Sequence, residues 1–232
     1  MTEQWHKLEK WFSARYPKMV ADLNSGCDSA EILDLEREIG IRLPEKFKEF
    51  YLIHNGQKAV DYIGIFYNLS LLSLSKIRTE MELWAGIIDE YGEEQMKINF
   101  DQYQSSLMPD KVKAMYANKK WVPFAVIWDS NYLGLDFDPE PDGSFGQVIN
   151  FGREEEQKAV LAESFESFID LYISELEAGN FFLKADGDQM LFIPKKYKRR
   201  ITEGGSRLPG YVAKRFIEEP SIEDQIRLGI NL

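Results

Sequence analysis

Cys27 and His54 are the residues whose types could support nucleophilic chemistry, a thiol attacking a carbonyl with an imidazole as its base. The chain has one cysteine and two histidines. Cys27 lies in Ser-Gly-Cys-Asp with no supporting motif. His54 precedes Asn55 and Gly56 at an expected helix end, where an imidazole serves to cap free carbonyls. His6 falls on the first expected helix as a surface residue. No G-x-S-x-G elbow, phosphate-binding G-x-x-x-x-G-K-[ST] loop or G-x-G-x-x-G turn occurs after any expected strand. No catalytic residue is therefore assigned.

Metal chemistry has one candidate, the acidic run at residues 136–143. Asp138, Glu140, Asp142 and Gly143 fall at positions 1, 3, 5 and 6 of a calcium loop. Position 12 is then Ile149, where such a loop requires a bidentate glutamate, and Pro139 and Pro141 stiffen the path. An acidic turn after a strand is the simpler reading, so no metal or cofactor is expected. Glu154, Glu155 and Glu156 read as a solvated helix start, favoured there by the helix dipole.

Charge narrows the choice further. The 232 residues carry a net −11. Residues 1–183 hold 18 basic and 32 acidic side chains, a net of −14, and residues 184–232 hold 10 and 7, a net of +3. An acidic surface repels phosphates, so direct nucleic-acid binding is not expected. A basic protein partner suits it better. The densest cationic stretch is Lys195, Lys196, Lys198, Arg199 and Arg200. No apolar run approaches the ~18 residues of a membrane span. The N-terminal residues lack signal-peptide patterning, and a single cysteine suits a reducing compartment, so a cytoplasmic location is expected.

The elements that would position these residues follow from spacing. Trp5, Leu8, Trp11 and Phe12 mark a first amphipathic helix ending near Tyr16 and Pro17. Asp28 and Glu31 form a capping box, opening a helix that buries Ile32, Leu35 and Ile39 and stops at Gly40. Pro44 suits the first position of a helix carrying Phe47, Phe50 and Tyr51. Residues 63–69 and 71–74 look extended, and a helix over 74–91 places Ile77, Met81, Trp84, Ile88 and Tyr91 on one face. Residues 92–120 read as a polar, partly helical insertion. Residues 121–128 and 132–137 form a hairpin, 145–151 a third strand and 162–176 a helix. Residues 181–184 and 189–193 form a second hairpin, followed by a loose extension that ends in a short helix near Ile222–Leu228. Strands gathered in antiparallel hairpins between helices give an α+β fold, a mostly antiparallel sheet flanked by helices. The expected organisation is one domain over 1–183 and a basic C-terminal extension over 184–232.

The order of these segments resembles the SUKH superfamily of fungal cell-wall assembly regulators and bacterial immunity proteins. The resemblance is carried by Ala30 to Glu36 with Ile39 and Gly40, by Leu-Pro-Glu-Lys-Phe at 43–47, and by His-Asn-Gly-Gln at 54–57. It continues through residues 65–74, Trp121 to Phe124, Leu-Asp-Phe-Asp-Pro at 135–139, Gly146 to Val148 and the helix through Phe165. It covers about residues 1–180. It implies the same α+β fold, no shared enzymatic chemistry, and function through a protein partner. The leading expectation is an immunity protein that occludes a basic, nuclease-type toxin domain. The alternative is a regulatory scaffold of cell-wall synthesis or signalling, and a third is an enzyme using carboxylates or a cation near Asp136 and Asp138. A partner-binding face is expected at His54, Asn55 and Gln57 and at Asp136, Asp138, Glu140 and Asp142, with Tyr67.

Overall fold

A computed structural model describes residues 1–58, 64–127, 130–186 and 189–194, the last two strands as backbone. The chain opens with four helices: α1 (Thr2–Arg15), α2 (Pro17–Asp22), α3 (Ser29–Ile39) and α4 (Glu45–Tyr51). Strand β1 (Ser70–Leu71) leads into α5 (Leu74–Asn99). Then come β2 (Ser105–Ser106), β3 (Trp121–Ile127), β4 (Asn131–Asp136), β5 (Gln147–Gly152), β6 (Gln157–Lys158) and β7 (Val160–Ala162). Helix α6 (Phe165–Glu177) and the hairpin β8 (Phe181–Asp186) and β9 (Gln189–Pro194) complete the described chain.

Strands β1-β3-β4-β5-β7 form one antiparallel sheet in that order. Every residue of β3, β4 and β5 is buried, so this sheet is covered on both faces. Phe124 of β3 meets Phe47 of α4 and Phe165 and Phe168 of α6, with ring centroids 5.3 to 6.5 Å apart. On the other face Trp84 of α5 packs edge-on against Tyr132, which stacks on Phe151. Aromatic pairs at these separations add to plain area burial. Pro123 cannot donate to a ladder, and the register slips at it, as strand prolines require. At Gly134 a Cβ would come within 2.4 Å of the Phe151 ring, so a bare backbone is needed there.

The caps at α3 are those expected: Glu31 N donates to Asp28 Oδ1 and Asp28 N to Glu31 Oε2, both at 2.9 Å. Ser164 and Ser167 make the equivalent box at α6. Three elements differ from expectation. Residues 64–69 are a tight turn, with Tyr67 and Asn68 both at positive φ, because Phe66 and Leu69 bond each other across it. Helix α5 runs on to Asn99 through a break at Gly92 (φ 73°, ψ 161°), although a polar exterior had hidden that continuation. Glu154–Glu156 do not start a helix. They form the turn between β5 and β6, where Glu155 is buried and accepts from Asn150 Nδ2 at 2.5 Å. The β8–β9 pairing runs across the boundary expected at residue 183. The basic cluster and the expected short C-terminal helix lie outside the described residues, as does Trp128 of the expected hairpin.

Candidate functional site

The turn after α4 is held by its own side chains. His54 Nδ1 lies 2.8 Å from the Asn24 carbonyl and Nε2 lies 2.8 Å from Glu9 Oε1, with the ring edge-on to Trp5. Both nitrogens thus face acceptors that tie α1 to the turn. Asn55 Oδ1 accepts from Leu74 N at 2.8 Å, the first amide of α5, so it caps the following helix. Gln57 is buried, and its Oε1 accepts from the amides of Ile65 and Leu71, each at 3.0 Å. Its Nε2 donates to Asp22 at 3.1 Å. One side chain therefore joins α2, the 64–69 turn and β1. Tyr67 is buried edge-on to Tyr172 at 4.8 Å.

Cys27 is not prepared for attack. Its thiol donates to the Tyr51 carbonyl at 3.3 Å, and burial pushes its pKa up to about 11, the reverse of what a nucleophile needs. With Cys27 and His54 each turned to other partners, the structure does not assemble them as a dyad.

The second group gathers at the end of β4. Asp136 is fully buried; Oδ1 accepts from Trp121 Nε1 at 3.0 Å and Asp138 N at 2.8 Å, and Oδ2 from Gln147 Nε2 at 2.9 Å. Burial raises its pKa, and these donors offset part of the rise. Asp138 is half-buried. Burial works to raise its pKa too, but the bonds from Lys113 (2.6 Å) and Asn118 (2.9 Å) and the charge of Lys120 outweigh it and hold the group low. Gln147, which sequence reasoning passed over, also donates to the Lys111 carbonyl and accepts from Ser144 N. The expected polar insertion is thus stitched to the sheet by Asp138 and Gln147. Asp138 pairs with the ammonium groups of Lys113 and Lys120, and no group of three or more metal-ligating side chains is found among the described residues.

What remains outward is a rim. Asp142 is exposed, Glu140 half-exposed, and Phe145 is 72% exposed with its ring 5.0 Å from that of Phe137. Phe145 was read as the start of a strand; its odd place in an acidic turn was the signal available. The structure brings Asp136, Asp138, Glu140 and Asp142 together on one loop. His54, Asn55 and Gln57 form the separate turn after α4. Of the eight expected contact residues, Gln57, Tyr67 and Asp136 have buried side chains.

Another buried polar group had no sequence signal. Lys158 of β6 is fully buried, with Nζ 2.6 Å from Gln104 Oε1 and bonded to the Glu155 carbonyl. Burial lowers its pKa to about 8 against the pull of Glu155, Glu156 and Asp101. A shallow cleft of 360 Å³ lies beside the α4 turn, lined by Asn24, Gln57, Lys58, Ser73 and Lys76 among others. No helix among the described residues is long and apolar enough to cross a membrane.

Residues 26–171, more than half of the chain, match the model of the SMI1/KNR4 family (SUKH-1). The chain belongs to that family. It is 30% identical over 198 residues to the cell wall biosynthesis/cell cycle regulator smi1 of Schizosaccharomyces pombe, covering 83% of this chain and 39% of that protein. It is 26% identical over 211 residues to the cell wall assembly regulator SMI1 of Saccharomyces cerevisiae, covering 79% and 42%. A glucan synthesis regulatory protein of Neurospora crassa is 25% identical over 217 residues, covering 82% and 41%. This SMI1/KNR4 chain thus spans about two fifths of the length of these curated relatives.

Proposed function

We propose that this SMI1/KNR4 domain is a non-catalytic, cytoplasmic protein-binding module that regulates cell-wall synthesis by holding partner proteins. The observation that carries the reading is the alignment of about four fifths of the chain with proteins named as cell-wall or glucan-synthesis regulators in three fungi. The geometry agrees with it. The side chains best suited to chemistry (Cys27, His54, Asp136 and Asp138) are each engaged in holding segments together. The rim offers the carboxylates of Glu140 and Asp142 and the exposed ring of Phe145 on one loop, a surface suited to a basic partner.

The immunity reading uses the same fold and the same acidity, but the relatives' names favour the regulator. Affinity capture of the full chain from its native cells, read by mass spectrometry with stoichiometry, separates the two. Several substoichiometric wall-synthesis or signalling proteins are expected. A single basic toxin domain recovered one to one would instead restore the immunity reading, and turnover of a small substrate by the pure protein would sink both.

A further inference from the structure

The cleft beside the turn after α4 is cationic on a body that is acidic. It holds 360 Å³, and its lining includes Asn24, Lys58, Ser73 and Lys76 but no Asp or Glu. Residues 1–183 carry a net −14. Lysines elsewhere on them take carboxylate partners: Lys46 pairs with Glu49, Lys48 with Glu36 and Glu45, and Lys113 and Lys120 with Asp138. Lys58 and Lys76 have no ion pair among the described residues. Lys58 Nζ donates to the Ala21 carbonyl at 2.6 Å and keeps two further N–H groups. The Asp22 carboxylate lies outside the lining and accepts from Gln57 Nε2. The wall is fixed as well: Gln57 N donates to the Leu71 carbonyl at 2.9 Å and Leu72 N to the Phe124 carbonyl at 2.8 Å. Ser73 Oγ accepts from Lys76 N at 3.3 Å and lies 2.9 Å from Ser75 Oγ. With Ser75 as the donor of that pair, the Ser73 hydroxyl keeps its own hydrogen for a ligand.

We propose that this cleft is a phosphate-monoester site that takes a phosphorylated serine or threonine of a partner protein. Two ammonium groups on a cleft without carboxylates match the charge of about −1.5 to −2 that a phosphomonoester carries at pH 7. A glutamate side chain would answer only half of it. The lysines set the sign of the site, and the Ser73 hydroxyl and the start of α5 add a donor and the positive end of a helix dipole. At 360 Å³ the cleft stands at the small end of ligand sites, which run from about 300 to 1,000 Å³, so it suits one side chain rather than a nucleic-acid strand. The acidic body also repels a polyanion. A single phosphate between the lysines is screened from carboxylates more than a Debye length, about 8 Å, away. The inference rests on the proposed reading of the chain as a partner-binding module, and it makes the phosphorylated form of the partner the one that is held.

Amide NMR of the isotope-labelled full chain tests this with three probes: a pool of phosphoserine peptides with degenerate flanks, the same pool with glutamate in place of phosphoserine, and inorganic phosphate. Expected is a saturable shift of the Asn24, Ser73 and Lys76 signals with the phosphoserine pool, at least about tenfold tighter than with the glutamate pool, as the loss of one charge-assisted bond implies. Inorganic phosphate moves the same signals only at several-fold higher concentration. Lys76→Gln weakens phosphoserine binding by at least about tenfold at unchanged melting temperature, and Lys97→Gln, at the far end of the same helix, leaves it as it is. The proposal is overturned by equal binding of the glutamate pool, by phosphate binding as tightly as the phosphopeptides, by shifts that miss the cleft or do not occur, or by full binding in Lys76→Gln. No cell-wall partner enters the test, so its failure leaves the regulatory reading standing. An empty capture beside the expected NMR result would remove that reading and leave the phosphate site.

Discussion

Asp136→Ala is the sharpest perturbation of the loop that carries the exposed rim. The carboxylate accepts from the Trp121 indole, the Asp138 amide and the Gln147 side chain, all in a fully buried setting. Removing one partner of a buried hydrogen bond costs about 1–3 kcal/mol for each donor orphaned. Part of this is recovered, because the wild-type carboxylate itself is unfavourably desolvated. A net loss of about 3–5 kcal/mol is expected, as for breaking other buried charged networks. At about 2–4 °C per kcal/mol for a chain of this size, the melting temperature falls by about 6–20 °C. Asp136→Asn keeps the acceptor oxygen for two donors and loses only the Gln147 bond, so it melts much nearer to wild type.

Wild type and the Asn variant also separate through pH. Burial raises the folded-state pKa of Asp136 above its ordinary 3.8. The stability this group contributes is therefore complete below pH 3.8 and lost as pH rises through the folded value. The Asn variant has no such loss, so the stability difference moves in its favour on going from pH 3 to pH 6. Urea unfolding followed by circular dichroism, with tryptophan fluorescence as a second probe, measures both effects. An Ala variant within about 1 kcal/mol of wild type would refute the reasoning, because the three donors would then have found water.

Phe145→Ala should leave stability within about 0.5 kcal/mol, as an exposed substitution does, yet weaken capture of partners if the ring is an anchor; undiminished capture would remove it from the interface. Lys158 should make wild type gain stability with pH between 8 and 10.5, since there the unfolded lysine binds a proton that the folded one has released. At 1.36 kcal/mol per pH unit the gain is about 3 kcal/mol, and denaturant titrations of Lys158→Met should lack it. Gln57→Leu orphans the buried amides of Ile65 and Leu71, and a loss of about 2–4 kcal/mol should appear in thermal melts. Cys27, buried and held protonated, should react with a thiol reagent at pH 8 far more slowly in the native protein than in urea.

Much of the fold was legible where local chemistry decides it. The Asp28–Glu31 box, the stop at Gly40, the inward rows of α1, α3 and α6, and the hairpin after Trp121 rest on side-chain period and capping, which act over a few residues. The errors arose where tertiary contacts overrode local preference. Residues 64–69 have strand composition, but the bond from the Ile65 amide to Gln57 Oε1 and the burial of Tyr67 against Tyr172 fold them into a turn. The glutamates at 154–156 look solvated because three carboxylates in a row usually are. Glu155 is drawn inward by Asn150, a pairing that depends on the β5–β6 turn and on no local pattern. Lys158 was invisible for the same reason, its partner Gln104 being 54 residues away.

The site shows the same division, and it bears on how loss-of-function variants of this domain should be interpreted. The motif residues His54, Asn55, Gln57, Asp136 and Asp138 each make hydrogen bonds between distant segments. A variant that removes these bonds is expected to weaken partner binding whether or not it touches a partner, because the turn after α4 or the loop after β4 loses its shape. Phe145, Glu140 and Asp142 have few internal obligations, and the rigidity that presents them comes from Gln147 and Asp136 beneath. A genuine contact residue therefore loses binding at constant melting temperature, and a supporting residue loses both together. Binding and melting measured side by side for Phe145→Ala and Asp136→Ala make that separation, and equal melting losses in both variants would place Phe145 among the supports.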